Sequence, residues 1–194
     1  MALALRESMA LWPTAVATFT TDDPALCADA REEILARAAV LPTVPRGERT
    51  GWQSASDLLA WTPRMREVGA LFAGAVAAIA PAAAARGVGA GAWANVLCAG
   101  DHVTPHTHAE AVWSAVWYVD AGDSDEAHGG LLALRDPRAG AGAIGAPLAP
   151  GEHAAVVTVA PRTGLLVVFP AWLVHWVTPY RGARPRISVA ANLR

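Results

Sequence analysis

From Gly91 onward the sequence consists of short apolar and β-branched segments separated by Gly, Pro and Asp. Segments of this length, with turn residues between them, predict antiparallel strands. A series of such strands in one chain is typical of a sandwich or a barrel, so this half of the chain predicts a mainly β fold. The predicted strands span residues 92–98, 103–109, 113–119, 130–135, 153–159, 165–169, 173–178 and 186–192.

The first ninety residues have a different pattern, which predicts helices packed on the outside of a sheet. Residues 12–20 alternate enough for one short strand. An Asp-Asp-Pro run then predicts a capped helix from Pro24 to about Val40. Thr62-Pro63 begins a second helix in the same way, and apolar residues follow it at near-helical spacing.

A chain of 194 residues is long enough for one domain with a substantial core and too short for two. We therefore expect a single domain over 1–194, in which 1–91 supports 92–194. The uncharged stretch Val68–Ala85 has the length of a membrane span, but it is mostly Ala and Gly and is interrupted by Pro81. This composition favours a buried helix.

Composition excludes several classes of protein. The 15 basic residues nearly balance the 17 acidic ones, so no electrostatic footprint for nucleic acid is expected. The first residues predict no secretory signal, because charged residues interrupt their apolar run. Cys27 and Cys98 lie in a predicted helix and strand, so we expect free thiols and a cytoplasmic protein without a membrane partner.

A pair of histidines, His106 and His108, stands two residues apart in an apolar, aromatic neighbourhood. Side chains at positions i and i+2 of a strand share a face, so these imidazoles converge on one point. A third imidazole, His175 from another strand, can complete a three-ligand site that is open on one side. Such a site suits Fe(II) or Zn(II).

Arg186 follows His175 at a distance that allows a strand, a turn and the start of a returning strand. From there its guanidinium can hold a carboxylate through two hydrogen bonds. Ser188, on the same face, adds a hydroxyl. A metal beside a carboxylate clamp predicts that a small acid binds to both.

Several motifs in one order resemble the 2-oxoglutarate and Fe(II)-dependent oxygenases, in particular a bacterial and phage subgroup with an HxH motif. These motifs are PHTHAEAVWSAVWYV, GGLLALRDPR, LLVVFPAWLVHWVTPY and RISVAAN, and they extend over Ala92–Asn192. The resemblance implies a double-stranded β-helix, or jelly roll, of the cupin-like kind with supporting N-terminal helices. It also implies Fe(II), 2-oxoglutarate and O2, and hydroxylation of a C–H bond with release of succinate and CO2.

The resemblance leaves three metal ligand sets open. The preferred set is His106, His108 and His175. Most of the larger superfamily has a carboxylate in place of His108, and Glu110 lies on the same face of a regular strand, so His108, Glu110 and His175 is a second set. In the third, only His106 and His175 bind iron, as in aspartyl hydroxylase relatives whose PHTG resembles PHTH here.

The same resemblance places other side chains near 2-oxoglutarate. Ser114 and Tyr118 share one strand face that it directs toward the co-substrate, and Asn95 is placed in the cavity. Trp172, just before the distal histidine, is the candidate for contact with the substrate. Arg138 is a candidate for guiding an acidic substrate.

The substrate itself is not specified by these motifs. We expect a small molecule, an amino acid or a peptide side chain, and the oligomeric state is left open, a homodimer included. The first ninety residues and the loop at 139–151 are expected to form much of the pocket. Two rival functions remain: a three-histidine cupin-type dioxygenase that does not use 2-oxoglutarate, and a non-enzymatic jelly-roll binding module.

Overall fold

Ten strands form most of the ordered structure in a computed structural model that describes residues 6–7, 13–45, 49–85, 89–138 and 155–194. In chain order the strands are β1 (Ala17–Thr20), β2 (Trp52–Gln53), β3 (Ala90–Leu97), β4 (Val103–His106), β5 (Trp113–Asp120), β6 (Leu132–Arg135), β7 (Val156–Val159), β8 (Leu165–Pro170), β9 (His175–Val177) and β10 (Arg186–Leu193).

The strands form two antiparallel sheets. The larger has the order β1-β8-β5-β10-β3-β2 and the smaller has the order β4-β9-β6-β7. The chain crosses between the sheets repeatedly, which is the connectivity of the jelly roll that the motifs predict. The predicted fold class is therefore confirmed.

Two capped helices cover one face of the larger sheet. Helix α1 spans Pro24–Val40, and the Asp23 side chain accepts a hydrogen bond from the Leu26 amide at 2.8 Å. Helix α2 spans Pro63–Ile79 and is capped by Thr62. A short helix, α3, follows at Pro81–Ala84. Both predicted N-termini are confirmed, since a capping side chain and a first-turn proline act together at each.

The period of two along the central strands separates a packed face from a site face. In β10 the residues Ile187, Val189 and Ala191 join Ile34 and Phe72 of the helices in one buried cluster. The alternate residues of the same strands face the smaller sheet. A second, smaller core lies on that side and consists of Tyr118, Leu132, Leu134, Val167, Phe169 and Leu173.

The uncharged segment that resembled a membrane span is a helical part of the fold. Val68, Phe72 and Val76 of α2 are buried against the larger sheet. Within the described residues, no helix combines the length and the apolar character needed to cross a bilayer. Cys27 and Cys98 are free thiols, as expected.

Several predicted strands, the first strand and β4 among them, are shorter than expected. The first strand begins at Ala17, and β4 ends at His106, where the sequence pattern extended it to residue 109. Residues 109–110 form a turn, and the Ala111 amide donates to the His108 carbonyl at 3.2 Å. The predicted loop at 139–151 lies outside the described residues.

Candidate metal and co-substrate site

Strand pairing places two of the three histidines directly opposite each other. His106, the last residue of β4, is the register partner of His175, the first residue of β9. Their ring centroids are 4.3 Å apart. The pairing is irregular between Val103 and His106.

His108 follows the end of β4, and its ring lies close to the rings of His106 and His175. Its amide donates to the Ala171 carbonyl at 2.9 Å, which holds the chain against the turn after β8. Its ring centroid lies 4.9 Å from that of His106 and 5.2 Å from that of His175. One potential ligand atom from each of the three rings lies within 4.8 Å of the other two.

Backbone hydrogen bonds orient two of these rings. The Nδ1 atoms of His106 and His175 lie 2.8 Å from the carbonyl oxygens of Thr104 and Leu173, respectively. Because a carbonyl only accepts, each Nδ1 carries the proton and each Nε2 lone pair is left for a ligand. This arrangement is the usual outer support of a metal-binding histidine.

The electrostatic environment keeps His175 neutral. Burial lowers its pKa from 6.5 to about 3, and the neighbouring His106 acts in the same direction. The Leu173 carbonyl opposes the shift. A neutral imidazole is the form that binds a metal, so His175 is ready to coordinate an ion throughout the neutral pH range. Three neutral nitrogen donors on converging rings fit Fe(II) or Zn(II).

Glu110 does not share the face of the histidines. Its side chain is 88% exposed and pairs with Arg194 at 3.2 Å. The sequence argument assumed a regular strand through 106, 108 and 110, whereas the chain turns at 109–110. The turn points Glu110 to solvent, and it is not one of the three clustered side chains.

Arg186 is 1% exposed and lies at the start of β10. Its Nε donates to the Gly130 carbonyl at 3.0 Å, and one terminal nitrogen donates to Ser188 Oγ at 3.4 Å. Burial lowers the pKa of Arg186, but a guanidinium remains protonated in proteins. Among the described residues, no carboxylate forms an ion pair with this cation.

Tyr118 stands beside this guanidinium. The carbon at the centre of the Arg186 guanidinium lies 5.0 Å from the Tyr118 ring centroid, within the range of a cation–π contact. Burial raises the pKa of the Tyr118 hydroxyl, which keeps it a neutral donor. Arg186 opposes this pKa shift through its charge and through a side-chain hydrogen bond with the hydroxyl. A cation and a hydroxyl donor together therefore fit the carboxylate of a bound acid.

Asn95 and Ser114 occupy different parts of the same sheet face. Asn95 is the register partner of Ser188, next to the Arg186 end. Ser114 is the partner of Asn192, and its hydroxyl donates to the Asn192 side chain at 3.4 Å. Four strand residues, roughly 13 Å, separate Ser114 from Tyr118, so these two cannot hold the same carboxylate.

A small cavity, partly open to solvent, joins these groups. Its lining includes the preferred metal set and every predicted co-substrate residue: His106, His108, His175, Arg186, Ser188, Tyr118, Ser114 and Asn95. Sequence reasoning missed Trp93 and Asn192, although the alternation that found Arg186 and Ser188 continues to Asn192. Arg49, in the loop before β2, also lines the cavity.

Other candidates lie elsewhere. Trp172 is 54% exposed in the turn between β8 and β9, and Trp176 is the tryptophan of this segment that lines the cavity. Arg138 is exposed and pairs with Asp136.

Solved structures of similar fold include oxygenases of several kinds. A Pseudomonas putida prolyl-4-hydroxylase superimposes with a TM-score of 0.70 at 18% identity, covering 93% of this chain and 92% of the other. The α-ketoglutarate-dependent epimerase SnoN from nogalamycin biosynthesis gives 0.64 at 18% identity, covering 93% and 78%. A prolyl hydroxylase from Trichoplax adhaerens, in complex with a hypoxia inducible factor peptide, gives 0.63 at 12% identity, covering 92% and 82%.

The sequence comparisons identify the class to which this fold and site belong. No curated protein matches the chain in sequence. Residues 91–192, more than half of the chain, match the family described as "Putative 2OG-Fe(II) oxygenase". The chain therefore belongs to the family of 2-oxoglutarate and Fe(II)-dependent oxygenases. It is an oxidoreductase whose cofactor is Fe(II) and whose co-substrate is 2-oxoglutarate.

Proposed function

We propose that this oxygenase binds Fe(II) through His106, His108 and His175 and hydroxylates a C–H bond of a small molecule, an amino acid or a peptide side chain. Arg186 holds the far carboxylate of 2-oxoglutarate, supported by Tyr118 and Ser188. The bound iron supplies oxygen activation, with 2-oxoglutarate as the reductant and succinate and CO2 as its products.

One observation carries this proposal: a fully buried guanidinium, with no carboxylate partner among the described residues, lines the same cavity as three converging imidazoles. An uncompensated charge in an apolar interior costs several kcal/mol, so folds rarely keep one without a purpose. A bound carboxylate would compensate it. The guanidinium has five N–H donors, and its hydrogen bonds to Gly130, Ser188 and Tyr118 leave others for such a ligand.

The residues around the site orient the reactants and exclude water. Hydrogen bonds to the Gly130 carbonyl and the Ser188 hydroxyl fix the Arg186 guanidinium, and the Tyr118 ring lies against one side of it. Thr104 and Leu173 fix two ligand rings through their carbonyls. Phe169 packs edge-on against His175, with ring centroids 4.7 Å apart, and keeps that side of the site apolar. Orientation and shielding are what a protein contributes when a cofactor performs the difficult chemistry.

Anaerobic spectroscopy tests the ligand set and the clamp together. Fe(II) and 2-oxoglutarate added to the protein should give the weak visible charge-transfer band of a chelated centre, and His175→Ala should abolish it. Arg186→Ala should retain Fe(II) binding but lower the affinity for 2-oxoglutarate by about ten- to a hundredfold, because charge-assisted hydrogen bonds are lost.

The controls separate a local effect from misfolding. Arg184→Ala removes a nearby guanidinium that is 65% exposed and paired with Asp123, and it should leave the affinity within about twofold. Arg186→Lys keeps the charge without the fork and should fall between the wild type and Arg186→Ala. Unchanged 2-oxoglutarate affinity in a folded Arg186→Ala protein would remove the clamp from the proposal.

The same measurements address the rival functions. A cupin-type dioxygenase would consume O2 with substrate in the absence of 2-oxoglutarate, and a non-enzymatic module would show no chelate band. Similar structures are named as hydroxylases and as an epimerase. Product analysis should therefore record both oxygen incorporation and change of configuration, with hydroxylation as the expected result.

A further inference from the structure

Asn192 lies where the site cavity meets a second, roomier cavity at the other end of β10. Trp93 and Asn192 line both cavities, and the second one, here called the outer cavity, also includes residues 89–91 at the start of β3. The outer cavity is partly open to solvent. A molecule bound at the histidines can therefore extend past Asn192 into the outer cavity.

The Asn192 carboxamide has hydrogen-bonding capacity available for a ligand. Its oxygen accepts a hydrogen bond from the Ser114 hydroxyl at 3.4 Å. Its nitrogen carries two N–H donors, and neither is bonded to any residue that the structure describes. Ser114 orients the amide from one side, so the two donors are held at the border of the two cavities.

The position of Asn192 excludes a role in binding 2-oxoglutarate. Arg186 and Asn192 share the site face of β10, but six strand residues, roughly 20 Å, separate them. A five-carbon acid held by Arg186 does not reach that far. Between them lies Ala190, the register partner of Trp93, whose ring centroid is 5.9 Å from that of His108. Asn192 thus lies beyond the level of the metal-binding residues, on the side away from the co-substrate.

The surroundings of the amide are open and neutral. Its register partner on β3 is Gly91, where an added Cβ would meet only the Ser56 Cβ, at 3.9 Å. Among the described residues that line the outer cavity, Arg194 alone is charged, and it pairs with Glu110 at 3.2 Å. A neutral group fits here better than an ion, which would lose its hydration without a partner charge.

We propose that the Asn192 amide donates a hydrogen bond to a neutral oxygen of the primary substrate, a carbonyl or a hydroxyl, and that the substrate continues into the outer cavity. This inference rests on the proposed function. The two N–H donors match such an oxygen, and the Trp93 ring adds apolar surface beside it. A free amino acid, with both of its backbone groups charged, fits this border poorly. The substrate class is therefore an elongated, neutral molecule.

Matched probes test the inference by binding and need no product. Protein loaded anaerobically with Fe(II) and 2-oxoglutarate is titrated, with ligand-observed NMR detection, with para-hydroxyphenyl alkyl ketones from the methyl to the pentyl ketone. Each ketone is paired with the para-alkylphenol that has a methylene group in place of the carbonyl. We expect the ketones to bind about fivefold or more tightly than their partners, although the partners are more hydrophobic. Affinity should also rise with chain length.

Variants of Asn192 assign the preference to its amide. Asn192→Leu, of similar size, should abolish the preference for the ketone and leave the affinities for Fe(II) and 2-oxoglutarate within about twofold, because the co-substrate lies elsewhere. Asn192→Asp replaces the donors with an acceptor and should place the ketone below its partner. Asn192→Gln keeps the donors and should recover part of the preference. Thermal unfolding checks that each variant is folded, and Asn192→Asp decides the point if Asn192→Leu does not fold.

Variants of Gly91 test the outer cavity. Gly91→Leu places a large side chain beside Asn192 and should remove the gain in affinity with chain length. Gly91→Ala is the matched control, since its methyl group finds space and Gly91 does not have a positive φ. It should retain that gain.

Four results overturn the inference: no ketone binds, each ketone and its partner bind equally in the wild type, Asn192→Leu keeps the preference, or Gly91→Leu keeps the dependence on chain length. A fall in 2-oxoglutarate affinity in Asn192→Leu also overturns it, because Asn192 then serves the co-substrate. None of these results affects the proposed function. That proposal fails on a different measurement, namely absence of 2-oxoglutarate binding in the wild-type protein.

Discussion

The individual histidines differ in how the backbone presents them. His106 and His175 are strand residues whose rings are fixed by carbonyls two residues earlier in the chain. His108 follows the end of its strand and is held through its own amide. The HxH motif therefore combines one histidine on the ladder with one beyond it, and both rings lie near that of His175.

A pair of substitutions distinguishes the ligand sets at this scale. Glu110→Gln should leave Fe(II) affinity unchanged, because Glu110 is exposed and paired with Arg194. His108→Gln should weaken Fe(II) binding by roughly tenfold or more, since it removes a converging donor. Both are measured by anaerobic competition with a metal indicator. The reverse pattern would select the set with Glu110, and two neutral results would select His106 and His175 alone.

Among the secondary-structure elements, turns position the Arg186 guanidinium as much as strands do. Arg186 gains its hydrogen bond from the Gly130 carbonyl, which precedes β6 in the other sheet. Gly130 has a φ of +72°, and a Cβ there would lie 2.7 Å from Ser124 Oγ, 2.9 Å from the Tyr180 ring and 3.2 Å from the Arg186 side chain. A glycine at this turn thus lets the guanidinium approach the opposite sheet.

Gly130→Ala is expected to lower 2-oxoglutarate affinity several-fold or more while leaving Fe(II) binding intact, because the added methyl group displaces Arg186 and not the histidines. Gly100→Ala is the matched control: its φ is +98°, but a Cβ there meets nothing within 4 Å. Both variants carry a backbone strain of about 1–3 kcal/mol. Equal 2-oxoglutarate affinity in the two folded variants would contradict the assigned role of Gly130.

In the whole molecule, the two faces of the larger sheet have different roles: one packs in the main core and the other carries the residues of the site. The helices and one face of the larger sheet form the main core. The opposite face carries the buried polar groups Asn95, Ser114, Arg186 and Ser188. Buried polar groups of this kind cost stability unless they are paired, so the helical core has to compensate for the site.

This division predicts a pH dependence of folding for the metal-free protein. In the unfolded chain, His175 becomes protonated as the pH falls below its ordinary pKa of 6.5. In the folded protein its pKa is about 3, so it becomes protonated only at much lower pH. Between these values the unfolded state binds more protons, so the stability from neutral His175 is complete above 6.5 and is lost progressively as the pH falls. The slope reaches up to about 1.4 kcal/mol per pH unit.

Chemical unfolding of the metal-free protein across that window measures the effect. His175→Gln has no titrating group at this position, so its free energy of unfolding should fall less steeply with acidification than that of the wild type. The two proteins share their other titratable groups, and these cancel in the comparison apart from His106 and His108, whose charges interact with His175. Parallel pH profiles would show that His175 does not stay neutral in the fold.

The linear sequence determined most of the local structure and the composition of the site. Caps and first-turn prolines place the helices, and a period of two assigns Ser188 and Tyr118 to one face; these features depend only on neighbouring residues. The spacing of His175, Arg186 and Ser188 along the chain is likewise fixed by the sequence and does not depend on how the strands pack. The cavity contains every side chain that this reasoning selected for metal or co-substrate, apart from the alternative ligand Glu110.

Tertiary structure alone decided three matters. The turn after His108 directs Glu110 to solvent, and a period of two cannot reveal where a strand stops. Strand register sets Ser114 against Asn192, far along the sheet from Tyr118. Arg49 enters the cavity from a loop distant in sequence. Each depends on contacts between segments that are far apart in the chain, and local residue patterns carry no information about such contacts.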